Sequence, residues 1–172
     1  MFAEAPGNLL LGLPDRLGID DQLAKLASWI SQKHKTKIRH FRPIHGVQNM
    51  LERLSRQYPL SVVSARDEES TRRFLRQTGM EKFFGCVAGS LTVSHTKPYP
   101  DPIFWAAQQM GVRAENCLMI GDTRVDIRAG KSAGAQTVGV LCGFGDEAEL
   151  RKQGADEILE STAMLADLLL KA

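Results

Sequence analysis

Long apolar runs are missing from this sequence: no stretch approaches the ~20 residues a helix needs to cross a bilayer, so a transmembrane helix is excluded. The start, Met1-Phe2-Ala3-Glu4-Ala5-Pro6, lacks the basic-then-apolar layout of a secretory signal, and a cytoplasmic protein is expected. Cysteine is scarce. Cys86, Cys117 and Cys142 are odd in number, widely spaced and set in or beside apolar stretches, which suits small buried thiols in a reducing compartment. A disulfide frame or a zinc site would need closer pairing. An excess of one charge is also lacking: 22 basic against 20 acidic residues leave a net +2, too little to predict a polyanionic partner. Internal repeats and low-complexity segments are absent. No Gly-x-Gly-x-x-Gly joins a strand to a helix, and Gly139, Gly143 and Gly145 have the wrong spacing, which disfavours a dinucleotide-binding domain.

What is present is a chain of 172 residues, 43% hydrophobic and 24% charged, long enough for one compact core. From Pro43 onward helical patterns alternate with short apolar runs, which predicts a parallel sheet covered by helices in a three-layer α/β domain over residues 43–172. Val47, Met50, Leu51 and Leu54 share a helical face, and residues 60–63 read as a buried strand. Asp67 is expected to cap the next helix, which stops at Gly79. Residues 83–88 lead into a second strand. Asp101-Pro102 reads as a cap followed by a first-turn proline, opening a helix that closes at Gly111. Residues 117–120 and 137–141 are further strands, and Gly143-Phe144-Gly145 turns the chain into a helix over 147–151. Residues 155–159 and an amphipathic helix through Leu165, Leu168 and Leu169 complete the pattern.

Residues 1–42 differ. Leu23, Leu26, Ala27 and Ile30 lie on one helical face with no convincing strand nearby, so a small helical subdomain is expected. The basic stretch 33–42 interleaves cations with Phe41. Given the near-neutral chain, it reads as a solvated helix end and linker rather than a nucleic-acid patch.

The strongest chemical signal is the apolar run 118–120 followed by Gly121-Asp122-Thr123-Arg124-Val125-Asp126. Two carboxylates just past a strand end suit Mg²⁺, which prefers one or two carboxylates with waters and a substrate phosphate. The plainer reading makes Asp122 a turn residue and Asp126 a first-turn helix carboxylate. Upstream, Ser64 ends another apolar run and precedes a helix, placing a hydroxyl beside free amides where a phosphoryl oxygen could bind. Taken alone, Ser64 is an ordinary turn residue. Between them, in Thr96-Lys97-Pro98-Tyr99-Pro100-Asp101-Pro102, prolines stiffen the backbone beside one ammonium group, a point charge suited to phosphate or to a carboxylate.

Taken together, strand-Ser, then Lys-Pro-x-Pro-Asp, then strand-Gly-Asp-x-x-x-Asp resembles the haloacid dehalogenase-like (HAD) superfamily, in particular its phosphoglycolate phosphatase-like branch. The likeness covers residues 43–160, including Ile127-Arg128-Ala129-Gly130 and Ala133-Gly134-Ala135-Gln136-Thr137. It implies a Rossmann-like HAD core with residues 1–42 as the remnant of a helical cap. It also implies Mg²⁺-dependent hydrolysis of a small phosphorylated metabolite, with neither nucleic acid nor membrane as partner. Ser64 would hydrogen-bond the transferring phosphoryl group, with Ala65 and Arg66 beside it at the substrate. Arg66 departs from the small or amide residue common in that turn. Lys97 would stabilise the phosphorylated intermediate and the nucleophile. Asp122 would bind the metal, with Asp126 supporting it directly or through Lys97 or water.

The same resemblance implies a nucleophilic Asp-x-Asp on the central strand, and no Asp-x-Asp occurs in the sequence. The run 9–15 comes nearest, but Leu17 stands where the second carboxylate belongs and Pro14 is a poor central-strand residue. An alternative function therefore stands beside the hydrolase: an inactive module that keeps the phosphate and metal site for binding or regulation. A sheet lacking its middle strand would also leave a seam between the strands leading to Ser64 and to Asp122. Each buried unpaired backbone group there costs ~1–3 kcal/mol. Either the flanking strands close on each other, or residues 8–13 or a second chain, as in a homodimer, fill the seam by strand addition.

Overall fold

The computed structural model describes residues 43–170. The chain divides into two units, Met1–His40 and Phe41–Ala172. The expected helical subdomain, the basic stretch 33–42 and the run 9–15 lie outside the described residues.

The described elements follow the alternation read from the sequence. Helix α1 (Val47–Leu54) buries Met50, Leu51 and Leu54 along one face. Strand β1 (Ser61–Val63) leads to helix α2 (Glu68–Gln77), whose cap Asp67 accepts from the Ser70 N–H at 2.8 Å. That bond holds the Asp67 carboxyl below its ordinary range, because the cap amide favours the ionised form. Strand β2 (Cys86–Ala88) is followed by helix α3 (Asp101–Gln109), strand β3 (Leu118–Gly121) and helix α4 (Arg124–Ser132). Strand β4 (Gln136–Val140), helix α5 (Glu147–Lys152), strand β5 (Glu157–Leu159) and helix α6 (Leu165–Leu169) complete the domain.

One expected cap differs. Pro100, not Asp101, holds the cap position of α3, and Asp101 is already helical. The Asp101 carboxylate pairs instead with His95 Nδ1 at 2.9 Å, and it favours the first helical turn through the dipole. The cysteines are free, as expected, but only Cys86 is fully buried. Burial raises the Cys86 thiol pKa above its ordinary value.

All strand pairings are parallel, and they form two sheets, β1-β2 and β3-β4-β5. Successive side chains of β3 separate the core into two layers. Leu118 and Ile120 pack against the cluster of Met50, Leu51, Leu54, Val87, Val138 and Leu165. Cys117 and Met119 pack against Ile103, Ala107, Ala129 and Ala133. Because neighbouring strand residues point to opposite faces, α1 and α6 cover one face and α3 and α4 the other. This is the three-layer α/β arrangement. At the far edge, Asp156 locks β4 to β5: its Oδ2 accepts from both the N–H and the hydroxyl of fully buried Thr137, each at 2.8 Å. Together with Lys131 this holds the Asp156 pKa at about 2.

The seam between β1 and β3 is open among the described residues. Each of these strands pairs on one side only, and both are half-buried, whereas β2 is wholly buried and β4 nearly so. A cavity of about 570 Å³ lies between them, walled by Ser61, Val63, Leu118 and Ile120 at the edges and by Leu165 and Ala106 from the helices. The expected closure of the flanking strands on each other does not occur. Helices α1, α3 and α6 contribute side chains to the same cavity and hold its two faces apart.

Candidate functional site

Lys97 bonds both to Val63 at the end of β1 and to Asp126 just past β3, which brings the carboxyl ends of these two strands to one end of the domain, where open α/β sheets bind ligands. Lys97 is the centre of the polar network there. It follows β2 by a loop, and its side chain is only 13% exposed. Its Nζ donates to the Val63 carbonyl at 3.0 Å and to Asp126 Oδ1 at 2.6 Å, so one ammonium ties the end of β1 to the helix that follows β3.

Asp126 is 5% exposed and fully engaged. Its Oδ2 accepts from the Thr123 N–H at 3.1 Å and from the Thr123 hydroxyl at 2.6 Å, completing a capping box at the start of α4. Asp126 is thus a first-turn helix carboxylate that also bonds Lys97. Asp122 is placed differently. Its Oδ2 accepts from the Phe144 N–H at 2.9 Å, delivered by the loop after β4. Two glycines make this packing possible: a Cβ on Gly143 would overlap the Asp122 carboxylate, and one on Gly121 would overlap the Asp126 side chain.

Ser64 follows Val63, the residue whose carbonyl Lys97 binds. Its hydroxyl accepts from the Arg66 N–H at 3.1 Å, closing a turn that leaves Ala65 and Arg66 exposed. Hydrogen bonds thus join Lys97, Asp126 and the end of β1 directly, while Ser64 and Asp122 flank that network at the ends of the two strands. Sequence reasoning missed two contributors, Thr123 and the Phe144 amide. Thr three residues before Asp is a readable capping-box signal. The two glycines around an exposed Phe144 were read as a turn alone. Among the described residues no group of three or more His, Cys, Asp or Glu side chains could hold a metal ion. None of their helices is long and apolar enough to cross a membrane.

A phosphoglycolate phosphatase of Neisseria gonorrhoeae is 39% identical over 88 residues, 51% of this chain and 37% of that protein. A pyrophosphatase, PpaX, of Oceanobacillus iheyensis is 35% identical over 116 residues, 67% of this chain and 54% of that protein. The chain thus spans roughly a third to a half of the length of these curated relatives. Among solved structures, a HAD family hydrolase from Deinococcus radiodurans with bound phosphate and sodium superposes with a TM-score of 0.68 at 29% identity. That match covers 74% of this chain and 59% of the other. A hydrolase from Pseudomonas syringae gives a TM-score of 0.76 at 25% identity, covering 88% of this chain and 70% of the other. The model of the haloacid dehalogenase-like hydrolases matches residues 13–140, more than half of the sequence. With the parallel α/β fold and the strand-end network of Lys97 and Asp126, the chain belongs to the haloacid dehalogenase-like hydrolase family.

Proposed function

We propose that this chain forms the phosphate- and Mg²⁺-binding core of a phosphomonoester hydrolase acting on a small phosphorylated metabolite. The observation that carries the reading is the fixed ammonium of Lys97, held by Val63 and Asp126 where two parallel strands end. A cation already positioned in a water-poor crevice stabilises phosphoryl charge with little reorganisation. Support also comes from the relatives named as phosphatases and from the phosphate bound in the Deinococcus radiodurans structure.

The residues fit Mg²⁺ in a limited way. Both Asp126 oxygens are committed to Lys97 and Thr123, so Asp122 is the carboxylate this chain would offer, oriented by the Phe144 amide on its Oδ2. Mg²⁺ is commonly held through one or two carboxylates, with waters and substrate phosphate completing its shell, and it would neutralise phosphoryl charge there. The chain's own groups then have separate tasks. Lys97 pairs with an equatorial phosphoryl oxygen, and Asp126 keeps Lys97 aimed. The Ser64 hydroxyl, oriented by the Arg66 N–H that it accepts, and the Ala65 amide hold a second phosphoryl oxygen. Hydrolysis by the phosphoaspartate route further needs a carboxylate nucleophile, for which the sequence offers no Asp-x-Asp. The chain assayed alone should therefore bind phosphate without turning over phosphomonoesters, since loss of a covalent nucleophile costs ~10⁴–10⁶ in rate.

Titration of the chain with inorganic phosphate, with and without Mg²⁺, tests the reading. Saturable binding strengthened by Mg²⁺ and weakened by Lys97→Met and by Asp122→Asn is expected. Phosphate binding indifferent to both substitutions would overturn it, and phosphate-independent Mg²⁺ binding would favour a regulatory metal module.

A further inference from the structure

We propose that Phe144 is a specificity-determining residue: its ring is a platform for the organic part of the phosphomonoester and selects esters that are planar and apolar next to the phosphate, a preference that presupposes the phosphate site at Lys97. Among the described residues, the three most exposed large hydrophobic side chains are Phe144 at 98%, Leu91 at 90% and Tyr99 at 58%. All three stand in loops that leave the carboxyl ends of β2 or β4, the end of the domain where Lys97 is held. Apolar exposure is thus concentrated where a ligand would sit, whereas single exposed hydrophobics on an ordinary surface are scattered.

Of the three, Phe144 is the one tied to a proposed site residue. Its N–H donates to Asp122 Oδ2 at 2.9 Å, and a Phe ring centre lies at most about 5 Å from its own nitrogen, so in every rotamer the ring stays within about 8 Å of that oxygen. The loop cannot carry the ring away. A Cβ on Gly143 would overlap the Asp122 carboxylate and one on Gly145 the Asp122 carbonyl, so both glycines lie flush against this residue. Before them the Leu141 N–H donates to the Leu159 carbonyl at 2.9 Å, and after them Asp146 caps α5 by accepting from the Glu149 N–H at 2.9 Å. None of this uses the phenyl ring. Any residue but proline would supply the amide, the close approach calls only for the glycines, and a ring that is 98% exposed adds nothing to the core. A fixed loop that presents an aromatic face beside a phosphoryl site is suited to cover apolar ligand surface by stacking. Lys97 then answers the charge of the ester and Phe144 its uncharged remainder. Esters of short polyols, which present hydroxyls there, gain little from the ring.

The test titrates the full chain with inorganic phosphate, methyl phosphate and phenyl phosphate in the presence of Mg²⁺, by calorimetry at about pH 8, where both esters are dianions. The readout is the ratio of affinities for phenyl and methyl phosphate, in which any effect on Asp122 common to both esters cancels. The native chain should favour phenyl phosphate by about three- to ten-fold, Phe144→Ala should bring the ratio to about one, and Phe144→Tyr should keep it. A ratio near one in the native chain, with inorganic phosphate still bound, would overturn the role of Phe144 and leave the phosphate site standing. A preference that survives Phe144→Ala would overturn it too, by showing that another surface holds the ring of the ester. Absence of binding by inorganic phosphate and by both esters would overturn the phosphate site and this preference with it.

Discussion

Replacing Lys97 by methionine keeps the length of the side chain and removes its charge, which isolates what the ammonium contributes. In the native domain the pair Lys97–Asp126 is 13% and 7% exposed, with a 2.6 Å contact. The substitution leaves a buried carboxylate with one oxygen still bonded to Thr123 and the other without its cation, while the Val63 carbonyl loses its donor. Breaking a buried pair from one side costs about 3–5 kcal/mol. For a domain of this size that is a fall in Tm of roughly 10–20 °C. Asp126→Leu alone is expected to cost a similar amount, including about 1 kcal/mol for the lost capping box. The double variant removes both charges and should recover much of the loss, giving a coupling of about 2 kcal/mol or more in a double-mutant cycle measured by urea unfolding. Additive costs, with a coupling below about 0.5 kcal/mol, would refute the view that Lys97 and Asp126 form one electrostatic unit.

Three further outcomes are expected. Gly143→Ala should displace Asp122 from the Phe144 amide and weaken Mg²⁺-dependent phosphate binding by about ten-fold in a calorimetric titration, with thermal stability changing little. Thr123→Ala should cost about 1–2 kcal/mol by denaturant unfolding, because one substitution removes a donor to Asp126 and the hydroxyl half of the capping box. Asp156 has a folded pKa of about 2 against an ordinary 3.8, so its contribution is fully present above about pH 4 and is lost as pH falls toward 2. Asp156→Asn should therefore flatten the acid limb of stability measured by circular dichroism between pH 4 and 2, and an unchanged limb would show that Thr137 and Lys131 do not hold the carboxylate in solution.

The helices and strands of residues 43–170 were legible because their signals are local. Asp67 with Gly79 bounds one helix, and apolar runs of three to five residues between capped helices read as buried parallel strands. Asp101 was misread because its carboxylate has a competing partner in His95, and a preference for caps carries no information about a side chain six positions away. The chemical order Ser64, Lys97, Asp122, Asp126 was legible as a motif, and the tie between Lys97 and Asp126 follows it. The hold on Asp122 was not, since it comes from a backbone amide whose donor depends on loop geometry rather than on residue type. Nor could sequence alone decide how a sheet with an open seam would settle. That outcome depends on helices α1, α3 and α6 resisting collapse, which is a property of the packed layers.

Splitting the sheet into β1-β2 and β3-β4-β5 has a consequence for how the domain breathes. Within each half, backbone ladders make opening cooperative; between the halves the described links include apolar packing, the ammonium of Lys97, which bonds to Val63 in β1 and to Asp126 in α4, and the ion pair of Arg53 in α1 with Asp167 in α6. Amide protection should accordingly fall into two sets with separate opening free energies, one for residues 61–64 and 86–88 and one for 118–121, 136–140 and 157–159. Of the two charged links only the Lys97 pair is buried, so neutralising that ammonium should favour a state with the two halves parted more than loss of the exposed Arg53–Asp167 pair does.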